Sequence, residues 1–232
     1  MAKLSTLALV PILVPQAIWV AWRAVRLPEA DGPRTGVAGA GPEHRLLIAG
    51  DSSAAGVGVA DQDTALSGRL VARLSETSNV NWAVVAKSGW TSRQLLQALE
   101  LLPPARVETV VIAVGVNDVK NGVRLAQWVQ TYGAILDTLQ TKHEARRIVA
   151  SGVPPLGAFP LLPSPLRHVL GDRALRFDTA LSALCAQREA VIHLPFDRPL
   201  DPSDMARDGF HPGPAIYDAW AEAVAGAMTP SS

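Results

Sequence analysis

Residues 45–53, RLLIAGDSS, decide the fold of this 232-residue chain. The apolar run 45–49 ends at Gly50 and reads as a short strand passing into a turn. It is the first of five such runs. The others are 80–86 (VNWAVVA), 109–114 (TVVIAV), 147–151 (RIVAS) and 191–194 (VIHL). Between them, residues 64–77, 92–101, 124–140 and 173–188 carry apolar side chains three and four apart, and 214–228 follows the last run with the same spacing. Strands alternating with helices predict βαβ units and a parallel sheet covered on both faces. No internal repeat is visible.

In an open parallel sheet, ligands bind at the carboxyl ends of the strands. The first strand is followed by Gly50-Asp51-Ser52-Ser53, the second by Ser88-Gly89-Trp90-Thr91 and the third by Gly115-Val116-Asn117-Asp118. Asp208-Gly209-Phe210-His211-Pro212 comes well past the fifth. All four segments would share one rim. Ser52 alone reads equally well as a helix cap or turn residue. Asp208 and His211, three apart in a loop bounded by glycine and proline, would hold a carboxylate and an imidazole together. A serine nucleophile needs that imidazole as base, and the imidazole needs an acceptor to fix its tautomer. Of the other histidines, His44, His143, His168 and His193 have no comparably placed partner in the sequence. Gly89, through its backbone N–H, and Asn117, through its amide, could donate to an oxyanion, although each also fits a turn.

GDS at 50–52, the isolated glycine at 89, GxND at 115–118 and DxxH at 208–211 together resemble the four blocks of the SGNH, or GDSL-type, serine esterases and lipases. The resemblance implies Ser52 as nucleophile, His211 as base and Asp208 as its orienter. It also implies an oxyanion hole built from the Ser52 and Gly89 N–H groups and the Asn117 side chain. Ser53 stands where the family name would have leucine. The fold expected is a three-layer α/β/α sandwich on a five-stranded parallel sheet, flavodoxin-like, with an apolar N-terminal helix. The activity expected is hydrolysis of carboxylic esters through an acyl-enzyme, without cofactor or metal. An acyltransferase using the same acyl-enzyme and a catalytically silent binding module are the alternatives. Gly56-Val57-Gly58 lacks the third glycine of a dinucleotide loop.

Composition bounds the rest. Lys+Arg and Asp+Glu are both 21, so the formal charge is zero, and no basic excess points to nucleic acid. With 48% hydrophobic and 18% charged residues the chain can bury a sizeable core. The single cysteine, Cys185, excludes an intramolecular disulfide. Residues 152–170, rich in Pro and Leu with Phe159, read as a long apolar loop beside the rim, suited to a lipid-like or medium-length acyl chain.

The ends differ from the body. The stretch from Leu4 to Val25 is mostly apolar, flanked by Lys3 and by Arg23 and Arg26, with Trp19 and Trp22 near its end. Pro11, Pro15, Ser5, Thr6 and Gln16 weaken it as a span. An uncleaved membrane anchor is the favoured expectation; a cleaved export signal and a helix docked on the domain are the others. The expected organisation is an anchor at 1–26, a linker at 27–44, a catalytic domain at 45–228 and a fraying tail from Thr229.

Overall fold

The computed structural model describes residues 2–23, 25–196 and 201–228. The expected tail from Thr229 lies outside them. A six-stranded sheet forms the centre: β1 (Thr35–Ala38), β2 (Glu43–Gly50), β3 (Asn79–Ala86), β4 (Thr109–Ala113), β5 (Arg147–Ser151) and β6 (Val191–Leu194). Their spatial order is β1-β3-β2-β4-β5-β6. All pair in parallel except β1, which runs antiparallel along β3. Every residue of β4 is buried, as is the second half of β2, which is why these runs are continuously apolar rather than alternating.

The helices are α1 (Ala2–Arg23), α2 (Leu66–Leu74), α3 (Ser92–Leu101), α4 (Val116–Lys120), α5 (Leu125–Thr141), α6 (Leu166–Cys185) and α7 (Pro214–Met228). They flank both faces of the sheet. One core joins Leu47, Ala49, Val110 and Ile112 to α3, α5 and α6, centred on Trp128, Tyr132 and Phe177. The other joins Leu46, Ile48, Val84 and Val111 to Leu66 and Leu70 of α2 and Tyr217, Ala221 and Val224 of α7. Cys185 ends α6 as a buried thiol, its pKa pushed by burial up to about 11.

Three differences from the expected fold have physical causes. The sheet has six strands, not five, because residues 35–38 of the expected linker form β1. Their burial is only partial and Gly36 interrupts them, so no apolar run marks the strand. Helix α6 begins at Leu166 rather than at 173, which shortens the expected loop. Its Gly171 is tolerated because Gly157 packs against it, where an added Cβ would lie 2.8 Å from the Gly157 Cα. The short α4 has no counterpart in the helical spacing.

The anchor expectation is overturned. Among the described residues no helix is long and apolar enough to cross a membrane. Membrane association through residues 4–25, and the location drawn from it, are therefore corrected. Two prolines lie inside α1, and Gln16 ties it to the body of the chain. The Gln16 side-chain amide donates to the Ser164 carbonyl at 2.6 Å and its oxygen accepts the Leu166 N–H at 3.0 Å. Leu13 and Val20 pack on the core, so α1 is a docked helix. Gln16→Ala should cost about 1 kcal/mol. Hydrogen exchange at the Leu166 amide should accelerate with it, which mass spectrometry of the α6 peptide would read.

Candidate active site

Parallel register sets the level of the rim. Gly50 pairs with Ala86 on one side and with Ala113 on the other, so β2, β3 and β4 all end in one row. Segments leaving those three ends begin together. At Gly50 a Cβ would lie 2.1 Å from the Ala113 carbonyl oxygen, so only glycine allows the turn to fold this tightly over β4. The Asp51 N–H donates to that same carbonyl at 2.9 Å.

Ser52 sits in this turn. Its Oγ lies 3.0 Å from His211 Nε2, and His211 Nδ1 lies 2.5 Å from Asp208 Oδ2. The other Asp208 oxygen accepts the Phe210 and His211 N–H groups, each at 3.0 Å. Burial alone would raise the Asp208 carboxyl, but the bonds from the His211 ring and these N–H groups hold it below the usual carboxylate range. The structure thus brings together three of the expected residues, drawn from the turn after β2 and from the loop before α7.

Gly89 and Asn117 meet through Trp90. The Asn117 amide donates to the Trp90 carbonyl at 2.9 Å, using one of its two N–H bonds. Gly89 adopts a φ of +85°, and a Cβ there would meet nothing within 4 Å, so this glycine is required by conformation rather than by crowding. The N–H groups of Ser52 and Gly89 donate to no described residue.

Several supporting residues have a role that the sequence does not assign. Asp118, the last residue of GxND, accepts both the backbone N–H and the hydroxyl of Ser92 at the start of α3, at 2.9 and 3.0 Å. The Trp128 indole donates to the same hydroxyl at 2.9 Å. This buried network locks α4 to α3 and has no imidazole in it; His143 instead faces the Leu99 carbonyl at 3.2 Å. The Tyr217 hydroxyl donates between the Val57 and Ser53 carbonyls, at 2.7 and 3.0 Å, pinning the Ser52 turn to α7. One expectation about the histidines is corrected: His193 does have a partner, Asp178 of α6, 2.9 Å away. Asp178 is spent on structure, since the same oxygen accepts the Val153 N–H.

A cavity of about 240 Å³ opens beside Ser52 and His211. It crosses the ends of β4, β5 and β6, and its lining is mainly apolar. The loop after β5 supplies Val153, Pro154 and Phe159 to its wall, while Leu156 and Leu162 of that loop are core residues.

A serine hydrolase of carboxylic esters is the class of protein that this fold and site define. Residues 48–219 match the model of the GDSL-like Lipase/Acylhydrolase family, and the chain belongs to that family. No curated protein sequence matches it. Among solved structures it is similar to TesA, at 25% identity and a TM-score of 0.65, over 81% of this chain and 99% of the other. The psychrotrophic esterase EstA from Pseudoalteromonas sp., inhibited by monoethylphosphonate, shares the fold at 19% identity and a TM-score of 0.58. That match covers 80% of this chain and 96% of EstA. A putative platelet activating factor from Streptococcus pneumonia shares it at 15% identity and a TM-score of 0.62, covering 98% of this chain and 99% of the other.

Asp51 is the electrostatic outlier. Burial raises its carboxyl from 3.8 to about 6, against the opposing bonds from the Ser53 N–H and hydroxyl and the charges of His211 and Lys120. Between those values the folded chain holds a proton that the unfolded chain has released, so this group's contribution to stability falls as pH rises. Asp51→Asn has no such penalty. Urea unfolding should find the variant gaining on the wild type by on the order of 2–3 kcal/mol between pH 4 and pH 7.

Proposed function

We propose that Ser52 is the nucleophile, His211 the general base and Asp208 the group that orients it. Ser52 Oγ attacks the ester carbonyl carbon while His211 Nε2 takes its proton. The tetrahedral oxyanion accepts from the Ser52 and Gly89 N–H groups and the second Asn117 N–H. The C–O bond to the alcohol then breaks as His211 returns the proton to the leaving oxygen, and Ser52 holds the acyl group. Water, deprotonated by His211, releases the acid and restores the serine. The observation that carries this reading is the unbroken hydrogen-bond chain from Ser52 Oγ through His211 to Asp208.

The substrate we assign is an ester of an apolar, medium-length acyl chain, supported by the cavity. Its wall on α7 is Ile216, Ala219, Trp220 and Ala223, a stripe of two helical turns, so the channel runs about 10 Å down the helix from the His211 end. Alanines at 219 and 223 leave it open. Trp220 is fixed by donating to Ser151 Oγ at 3.0 Å and by stacking on Tyr217. The parallel strands, ordered β3-β2-β4-β5-β6, support a three-layer, flavodoxin-like catalytic domain, whose sheet also takes in β1 and the start of β2 upstream of residue 45.

Ser52→Ala should lower turnover by several orders of magnitude and abolish labelling by a fluorophosphonate. Asn117→Ala should cost roughly 10²- to 10³-fold in kcat. In a series of p-nitrophenyl esters, each added methylene that enters the cavity should raise kcat/KM by roughly fourfold. Activity confined to acetyl ester would refute the acyl channel. Product analysis with an added alcohol reads how far the acyl-enzyme transfers rather than hydrolyses.

A further inference from the structure

Gly89 stands at the tip of a loop, with an unused N–H and open space around its Cα. A backbone donor in that position serves an oxyanion only if the loop is held. Asn117 holds it at the Trp90 carbonyl. The Lys87 N–H bonds the Gly50 carbonyl at 3.4 Å, and two further side-chain grips come from residues far upstream. Arg34 Nη1 donates to the Ala86 carbonyl at 2.8 Å, at the root of the loop. Glu29 Oε1 accepts the Ser88 N–H at 2.6 Å, one residue before Gly89. The two side chains are themselves paired, Arg34 Nη2 to Glu29 Oε2 at 2.6 Å. Burial pushes the Glu29 carboxyl up, but the Ser88 N–H and the Arg34 guanidinium hold it below the usual carboxylate range.

The backbone beside Glu29 is tied to the other half of the site. The Ala30 N–H donates to the Ala55 carbonyl at 3.3 Å, and the buried Gln62 amide bridges the Ala30 and Ala55 carbonyls at 3.2 Å each. Ala55 belongs to the turn that carries Ser52, its own N–H bonded to the Asp51 carbonyl at 3.0 Å. Glu29 therefore stands between the Ser52 turn, to which its main chain is attached, and the Gly89 loop, to which its carboxylate is attached. Both Glu29 and Arg34 lie outside the family match at 48–219.

We propose that the Glu29–Arg34 ion pair is a positioning device that sets the spacing between the Ser52 and Gly89 backbone donors. It rests on the assignment of Ser52 as nucleophile. A charge-assisted bond suits the task, because it is shorter and stronger than a neutral one. Small displacements at an oxyanion hole are felt mainly in the transition state.

The test is steady-state kinetics of the full chain on a p-nitrophenyl ester. Glu29→Ala should lower kcat by roughly ten- to a hundredfold, with KM near that of the wild type. The rate of fluorophosphonate inactivation, which builds a tetrahedral adduct on Ser52, should fall by a similar factor. Glu29→Gln keeps an oxygen for the Ser88 N–H but turns its NH2 on the Arg34 guanidinium and loses the ion pair, so it should recover only part of the lost kcat. Should Glu29→Ala not fold, Glu29→Asp, which withdraws the carboxylate by one methylene, is read in the same way. An unchanged kcat, or a loss carried wholly by KM or by the folded fraction, overturns the inference. A wild-type chain that the fluorophosphonate leaves unlabelled would instead defeat the Ser52 assignment, and the inference with it.

Discussion

There is no room for a side chain at residue 50. The turn that leaves β2 presses so closely on the end of β4 that a single carbon would collide with the Ala113 carbonyl, the same oxygen that anchors the Asp51 N–H. This contact fixes how Asp51, Ser52 and Ser53 leave the sheet. Once that exit is fixed, Tyr217 can reach the turn from α7 and the loop before α7 can bring His211 to the hydroxyl. The register of three parallel strands does the rest by ending them at one level.

A second theme is that the polar machinery rests on buried, fully used donors and acceptors. Asp208 spends both oxygens, Asp118 ties one helix start to another, and the Ser92 hydroxyl gives to Asp118 what it receives from Trp128. An orphaned member of such a set costs more than the set gains per bond. The N–H groups of Ser52 and Gly89 are exceptions, donating to no described residue.

How far the sequence could be read follows from the range of the forces involved. Runs buried on both faces must be apolar throughout, so β4, β5 and the second half of β2 are legible as apolar runs. Edge strand β1, half-exposed and broken by Gly36, could not. The segments at the strand ends were legible because topology alone carries them to one rim. Pairings made only through space were not: Glu29 meets Ser88 across 59 positions and Tyr217 meets Ser53 across 164. Asp178 and His193, closer in sequence, lie on different elements and were equally hidden. At the amino end, apolar composition marks a helix but not how it is held to the body, since Leu13 and Val20 pack on the core while residues such as Ile18 and Trp22 stay exposed. The deciding feature is the amide of Gln16, whose partners at 164 and 166 lie far away in the sequence.

The lone thiol at the end of α6 has a practical consequence. Cys185 is 2% exposed and holds its proton far above neutral pH, so it offers almost no thiolate to an electrophile. A second cysteine introduced on the surface would then react alone with maleimide dyes in the folded protein. The native sulfur can stay in place, and one fluorophore at a chosen spot would follow the cleft through a catalytic cycle.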